Sequence, residues 1–194
     1  PFYGENIQKG RSKLEEKIGT SIGSSLFTII DDPMTGIAPR PFDGEGVHTY
    51  RIAIVQDGVF QTEIHNLYSA TRGNTTSTGH ASRGGYRGGI STSLHNPYIP
   101  NGTLSPEQLL EQTGSGIYVT DVEGLHAGLN PISGDFSLSA KGFLLESGTP
   151  TKALKNMVVA GNFYEVAERL SGLANDRHEN THKSFSSPAM RVDE

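Results

Sequence analysis

Apolar and polar positions recur along this chain in short blocks, and most blocks end at glycine, proline or an Asp-Gly or Ser-Gly pair. Residues 7 to 18 can form a helix with Ile7, Leu14 and Ile18 on one face and Lys13, Glu15, Glu16 and Lys17 elsewhere; Gly10 weakens it and Gly19 can end it. Ser25 to Asp31 reads as a strand stopped by Asp31-Asp32-Pro33. Arg51 to Gln56 and Val59 to Ile64 flank Asp57-Gly58, the favoured sequence for a two-residue hairpin turn. Residues 70 to 103 carry no clear period and are rich in Gly, Ser, Thr and Asn, the profile of a functional or disordered stretch.

The second half is more regular. Ser105 caps a short helix, with Pro106 at its first position, Gln108 closing a capping box and Gly114 beyond its end. Gly116 to Thr120 follows as a strand. Residues 135 to 147 and 150 to 159 form a second hairpin about Ser147-Gly148. Asn162 caps a further helix in which Glu165 closes the box and Phe163, Val166, Ala167 and Leu170 share a face. Pro188 to Val192 reads as a last strand. These elements predict an α+β fold, with a mostly antiparallel or mixed β-sheet, a barrel-like curl and two or three short helices.

The most informative stretch is Gly124-Leu-His-Ala-Gly-Leu-Asn-Pro-Ile-Ser-Gly-Asp-Phe-Ser137. Three glycines and a proline exclude a helix interior, where glycine costs about 1 kcal/mol and proline about 3. The segment is a shaped loop that runs into a strand at Phe136, Leu138 and Ala140. Loops carrying His, Asn and Asp beside glycine concentrate binding and chemistry, so His126, Asn130, Asp135 and Ser137 are candidates for substrate binding or an interface. The alternative is a turn whose polar side chains bond their own backbone.

Composition narrows the picture. Glycine is 24 of 194 residues, against a usual share of about 7%, which suits strands and tight turns. The net charge of −5 gives no electrostatic reason to bind DNA or a membrane surface. No run of 18 apolar residues suggests a membrane span. The sequence has no cysteine, which removes disulfides, thiol nucleophiles and cysteine-ligated metal and fits a cytoplasmic protein. The chain opens Pro-Phe-Tyr without an initiator methionine and closes in an apparent strand. Residues 1 to 194 are therefore expected to be a single domain, the C-terminal part of a longer protein.

Three motifs compete for attention. His178-Glu179-Asn-Thr-His182 has the H-E-x-x-H spacing that places two histidines on one helix face to hold zinc, with the glutamate as general base. Its polar, weakly helical surroundings read instead as a solvated loop. Gly19-Thr-Ser-Ile-Gly23 has the spacing of a nucleophile elbow, but a helix precedes it and a strand follows, the reverse of what that motif needs. Arg83-Gly-Gly-Tyr-Arg87-Gly-Gly resembles segments that track single-stranded nucleic acid; a glycine-rich, substrate-covering loop is the other reading, and Arg83 joins the candidates on that basis.

Taken in order, several segments resemble one family. They are Asp31-Asp-Pro33, Arg40-Pro-Phe-Asp43-x-Glu45-Gly46, Ser77-Thr-Gly-His80, Gly116-Ile-Tyr-Val119, Gly124-Leu-His-Ala-Gly128…Gly134-Asp-Phe-Ser137, Val159-Ala-Gly-Asn162 and Asn175-Asp176. Together the chain resembles the C-terminal domain of the TldD/PmbA family, on its PmbA (TldE) side. His80 stands where the family pattern has asparagine. The resemblance implies a cytoplasmic, zinc-dependent peptidase system acting on unfolded or extended peptides, linked to microcin maturation, antitoxin degradation and an old description as a modulator of DNA gyrase. It implies catalytic TldD-type subunits that hold zinc with an H-E-x-x-x-H helix and a cysteine near the C-terminus, and PmbA-type subunits that lack those ligands. The cysteine is absent here, so the expected role is a non-catalytic subunit with no cofactor of its own, zinc residing in a TldD-like partner. A homodimer is the alternative assembly, and an extended peptide the expected substrate.

Overall fold

The computed structural model describes residues 1–35, 39–177 and 185–193. In chain order its elements are α1 (Gly4–Gln8), β1 (Ile29–Asp31), β2 (Ile52–Gln56), β3 (Val59–Phe60), α2 (Leu67–Arg72), β4 (Ala81–Arg83), β5 (Ile90–Thr92) and β6 (Pro97–Tyr98). Then follow α3 (Pro106–Thr113), β7 (Gly116–Glu123), α4 (Leu125–Gly128), β8 (Asp135–Glu146), β9 (Thr149–Asn162), α5 (Phe163–Glu168), β10 (Leu170–Leu173) and β11 (Met190–Val192). The fold is α+β, and every strand pair is antiparallel. The strands form a four-stranded sheet in the order β3-β2-β1-β6, a three-stranded sheet β7-β8-β9, and the pairs β4-β5 and β10-β11. Among the described residues these sheets do not close into a barrel, so the expected barrel-like curl is not observed, and five short helices replace the expected two or three.

Both hairpins form where the turn residues demand them. Asp57 and Gly58 take φ of 50° and 80°, and Ser147 and Gly148 take 49° and 76°. Positive φ at both central residues is the twist-matched turn that Asp-Gly favours. Helix α3 has its full capping box, with Ser105 Oγ accepting from the Gln108 amide at 3.2 Å and Gln108 Oε1 accepting from the Ser105 amide at 2.8 Å.

Other expectations fail for local reasons. The helix over residues 7 to 18 does not form, because α1 ends at Gln8 and Gly10 turns left-handed with φ 65°. Leu14 is still buried, but from a turn, and Ile18 is 54% exposed. Helix α5 stops at Glu168, and Leu170 packs in the core as the first residue of β10 instead. Its Asn162 cap accepts from Tyr164 without the expected box. The strand from Ser25 is regular only over Ile29–Asp31. The stretch from 70 to 103 holds three short strands.

The core joins the beginning of the chain to its later half. Phe2, Ile7 and Leu14 pack with Ile54, Val55, Phe60 and Ile64 of the four-stranded sheet region and with Ala167, Leu170 and Leu173 of the α5–β10 segment. By contrast the three-stranded β7-β8-β9 sheet presents a largely exposed surface: Leu138, Ala140 and Leu145 of β8 are buried, while Ile117, Val119 and Val122 of β7 and Val158 of β9 are each exposed by more than a third.

Candidate functional site

The loop before β8 holds its own shape. Gly124, at φ 90°, starts α4, and its carbonyl accepts the amides of Ala127 and Gly128. A side chain at Gly128 would strike the Ser137 carbonyl, so glycine is required for the loop to lie against β8. Asn130 Oδ1 accepts the amides of Ile132 at 2.9 Å and Ser133 at 3.2 Å. The Asn130 amide donates to the Asp135 carbonyl at 2.8 Å, and the Gly134 amide to the Asn130 carbonyl at 2.9 Å. Asn162 fastens the loop to β9: its Nδ2 donates to the Ser133 carbonyl at 3.0 Å and to Asp135 Oδ1 at 2.7 Å, while its Oδ1 caps α5 through Tyr164. Bonds from Ser133 and Asn162 hold the Asp135 carboxyl below the usual aspartate range.

Leu129, Asn130 and Pro131 of this loop border two concavities. One is a partly open cavity of about 500 Å³, walled by apolar side chains including Phe27, Phe163, Tyr164 and Leu170, with Gly134 also at its loop side. The other is an open hollow of about 510 Å³ lined by Ala127, Gly128, Leu129, Asn130, Pro131, Asp135, Phe136 and Ser137. Asn130, Asp135 and Ser137 thus come together around the hollow, and exposed His126 sits on α4 beside it. Arg83 lies on β4, in a different sheet, and lines neither concavity. His178, Glu179 and His182 lie outside the described residues.

A second polar cluster escaped the sequence reading. Asp31, fully buried at the end of β1, accepts His80 Nε2 at 2.9 Å, the His95 amide at 3.1 Å and the Asn96 amide at 2.6 Å. His80, 1% exposed, turns Nδ1 to the Thr78 carbonyl at 2.7 Å and stacks on His95 with ring centroids 5.0 Å apart. His95 Nε2 in turn lies 2.7 Å from the Gly79 carbonyl. Burial pushes the Asp31 carboxyl up, but the bonds from His80 and the two amides outweigh it, so its pKa falls below the ordinary value. The signals in the sequence were an aspartate closing an apolar strand and the Asp31-Asp-Pro33 and Ser77-Thr-Gly-His80 segments, but nothing in them showed that Asp31 and His80 meet.

Zinc, implied by the family resemblance for catalytic members, does not fit the described residues. No group of three His, Cys, Asp or Glu side chains among them is placed to hold a metal ion. The nearest grouping, Asp31 with His80 and His95, has both carboxylate oxygens, both His80 ring nitrogens and His95 Nε2 engaged in the contacts above. No described helix is long and apolar enough to cross a membrane.

A profile described as the PmbA/TldA metallopeptidase C-terminal domain matches residues 1–194. The chain is 34% identical over 175 residues to Metalloprotease PmbA of Escherichia coli O157:H7, covering 89% of this chain and 36% of that protein. It is 33% identical over 175 residues to a Metalloprotease PmbA homolog of Haemophilus influenzae, with the same coverage. It therefore spans little more than a third of the length of these curated relatives. Among solved structures, TldE of Thermococcus kodakarensis superposes with a TM-score of 0.91 at 29% identity, over 99% of this chain and 44% of that one. A Thermotoga maritima protein described as a candidate modulator of a DNA gyrase superposes with a TM-score of 0.90 at 34% identity, over 98% of this chain and 43% of that one. The chain belongs to the PmbA/TldD metallopeptidase family, whose C-terminal domain it matches along its whole length.

Proposed function

We propose that this protein is the non-catalytic, PmbA/TldE-like subunit of a cytoplasmic, zinc-dependent peptidase complex that acts on unfolded or extended peptides. In this reading residues 1 to 194 are one domain, the C-terminal part of a longer chain, and they form one wall of the chamber that receives the peptide. A TldD-like partner supplies the zinc and the hydrolytic step.

One observation carries the reading: the loop from Gly124 to Ser137 is fixed by its own polar groups and by Asn162, and it borders two concavities. Asn130 and Asp135 act by holding the loop's shape, and exposed His126 with the loop backbone is left to meet a peptide. Beside the loop, the outer edge of β9 pairs with no other strand among the described residues. An unpaired edge offers backbone hydrogen bonds to an extended peptide whatever its side chains, which suits diverse unfolded substrates. The absence of cysteine from the whole sequence supports the non-catalytic assignment, since the family's catalytic branch carries one as a ligand.

The test is turnover of an unfolded peptide by the complex reconstituted with His126→Ala and Leu125→Ser, both exposed positions. Peptide affinity should fall about tenfold, equivalent to about 1.4 kcal/mol, while the stability of the subunit changes by less than about 0.5 kcal/mol. Wild-type turnover in both variants would make the loop a structural feature only.

A further inference from the structure

The hairpin formed by β4 and β5 pairs Ala81 with Thr92, Ser82 with Ser91 and Arg83 with Ile90. Its base is clamped. The Ala81 amide donates to Asp43 Oδ2 at 2.9 Å, and the Gly44 amide donates to the Ala81 carbonyl at 2.8 Å. Asp31 grips both flanks at once, His80 just before the hairpin and the amides of His95 and Asn96 just after it. The tip is the opposite. Residues 83 to 90 are all exposed, and Tyr86 is 82% exposed with the Arg87 guanidinium 5.1 Å from its ring centroid. Side chains at Gly84 and Gly89 would meet nothing within 4 Å, so packing does not require glycine there.

Along the sequence, the segment that carries this tip has acidic residues only beyond its ends. The sequence holds no acidic residue from 64 to 106, although the chain as a whole carries −5. The acidic residues tied to the hairpin base are turned inward. Asp43 Oδ1 accepts the amides of Glu45 and Val47, each at 2.9 Å, and Glu45 Oε2 accepts the Leu67 amide at the start of α2 at 2.8 Å. Among the described residues no carboxylate lies within 4.0 Å of either Arg83 or Arg87.

We propose that the β4–β5 hairpin is a carboxylate-recognition arm, binding acidic side chains or the C-terminal carboxylate of an extended peptide through Arg83 and Arg87, with Tyr86 as an apolar platform. This rests on the peptide reading above and adds a preference in substrate chemistry. Guanidinium groups pair with carboxylates through two parallel hydrogen bonds, and a clamped base lowers the ordering cost of presenting them. Screening confines the overall −5 to weak effects beyond about 8 Å, so the local cationic tip governs the encounter. Two arginines in an acidic chain suit a peptide better than a nucleic acid, whose affinity comes from neutralising many phosphates.

The experiment measures binding of two fluorescein-labelled extended peptides to the full-length protein, one containing glutamates and one with glutamine in their place. The glutamate peptide should bind about tenfold more tightly at low salt, and added salt should erode the difference. Arg83→Gln with Arg87→Gln should abolish that preference without changing affinity for the glutamine peptide or the unfolding midpoint. Equal affinity for the two peptides, or a preference that survives the double substitution, overturns the proposal and leaves the peptide reading intact. Tighter binding of a single-stranded oligonucleotide of matched charge assigns the tip to nucleic acid instead. Failure to bind either peptide overturns both readings.

Discussion

Two glycines with the same backbone angle allow the turn argument to be tested quantitatively. Gly58 and Gly19 both have φ of 80°. A side chain at Gly19 would meet nothing within 4 Å, whereas at Gly58 it would lie 2.6 Å from the Ser24 carbonyl oxygen and closer still to that of Gly23. Those are backbone atoms in a segment that cannot yield cheaply. The Ile22 amide donates to the Gly58 carbonyl at 2.8 Å, Gly58 donates to Phe27 at 2.9 Å, and Ser24 donates to Ala167 at 2.9 Å. Left-handed backbone costs an L-residue about 1–2 kcal/mol, and the loss of unfolded-state freedom on replacing glycine offsets about 0.4–1 kcal/mol of it. Gly19→Ala should therefore destabilise by about 1 kcal/mol. Gly58→Ala carries the same term plus about 1–3 kcal/mol for forcing an extra carbon into a filled space, about 3 kcal/mol in all. Urea unfolding of both variants, read at constant m, measures the difference. Equal losses would refute the steric argument, and a negligible loss at Gly58 would refute the turn geometry itself.

Asp31 makes stability depend on pH. Its folded pKa is depressed, so its contribution is fully present above the unfolded value of about 3.9 and drains away as pH falls towards the folded one. Asp31→Asn should be less stable at neutral pH and should lose less further stability on acidification than the wild type, as measured by urea midpoints across that range. Asn162→Ala removes a helix cap and a bond to the Ser133 carbonyl. It should cost about 2 kcal/mol and should raise amide exchange at residues 130 to 135 above that elsewhere. An exchange pattern unchanged in that loop would show that Asn162 does not fasten it.

What the sequence disclosed follows the range of the forces involved. The Asp57-Gly58 and Ser147-Gly148 turns and helix α3 were legible because a few adjacent residues set their dihedrals and caps. The failed helix over 7 to 18 was a conflict between two local signals. Apolar spacing favoured it, but Gly10 took the left-handed turn and tertiary burial of Ile7 and Leu14 needed no helix. The short strands between 70 and 103 were hidden because distant carboxylates hold them, Asp43 at Ala81 and Asp31 across 49 residues at His80. The loop at 124 to 137 was legible as a shaped loop from its glycines. Its two concavities were not, since Phe27, Phe163 and Leu170 reach one of them from distant parts of the chain. Asn130 bonding the Ile132 and Ser133 amides is the local turn that the sequence offered as the alternative, but the engagement of Asp135 by Asn162 could not be read from spacing, because it depends on Asn162 arriving from β9.

The central claim is that this protein needs a partner to hydrolyse peptides. The most direct measurement is zinc content by elemental analysis and turnover of an unfolded peptide by the full-length protein, alone and mixed with a TldD-like subunit. The account predicts no stoichiometric zinc and no turnover alone, with turnover appearing on mixing. Stoichiometric zinc with peptidase activity in the isolated protein, both lost in His178→Ala, would contradict it.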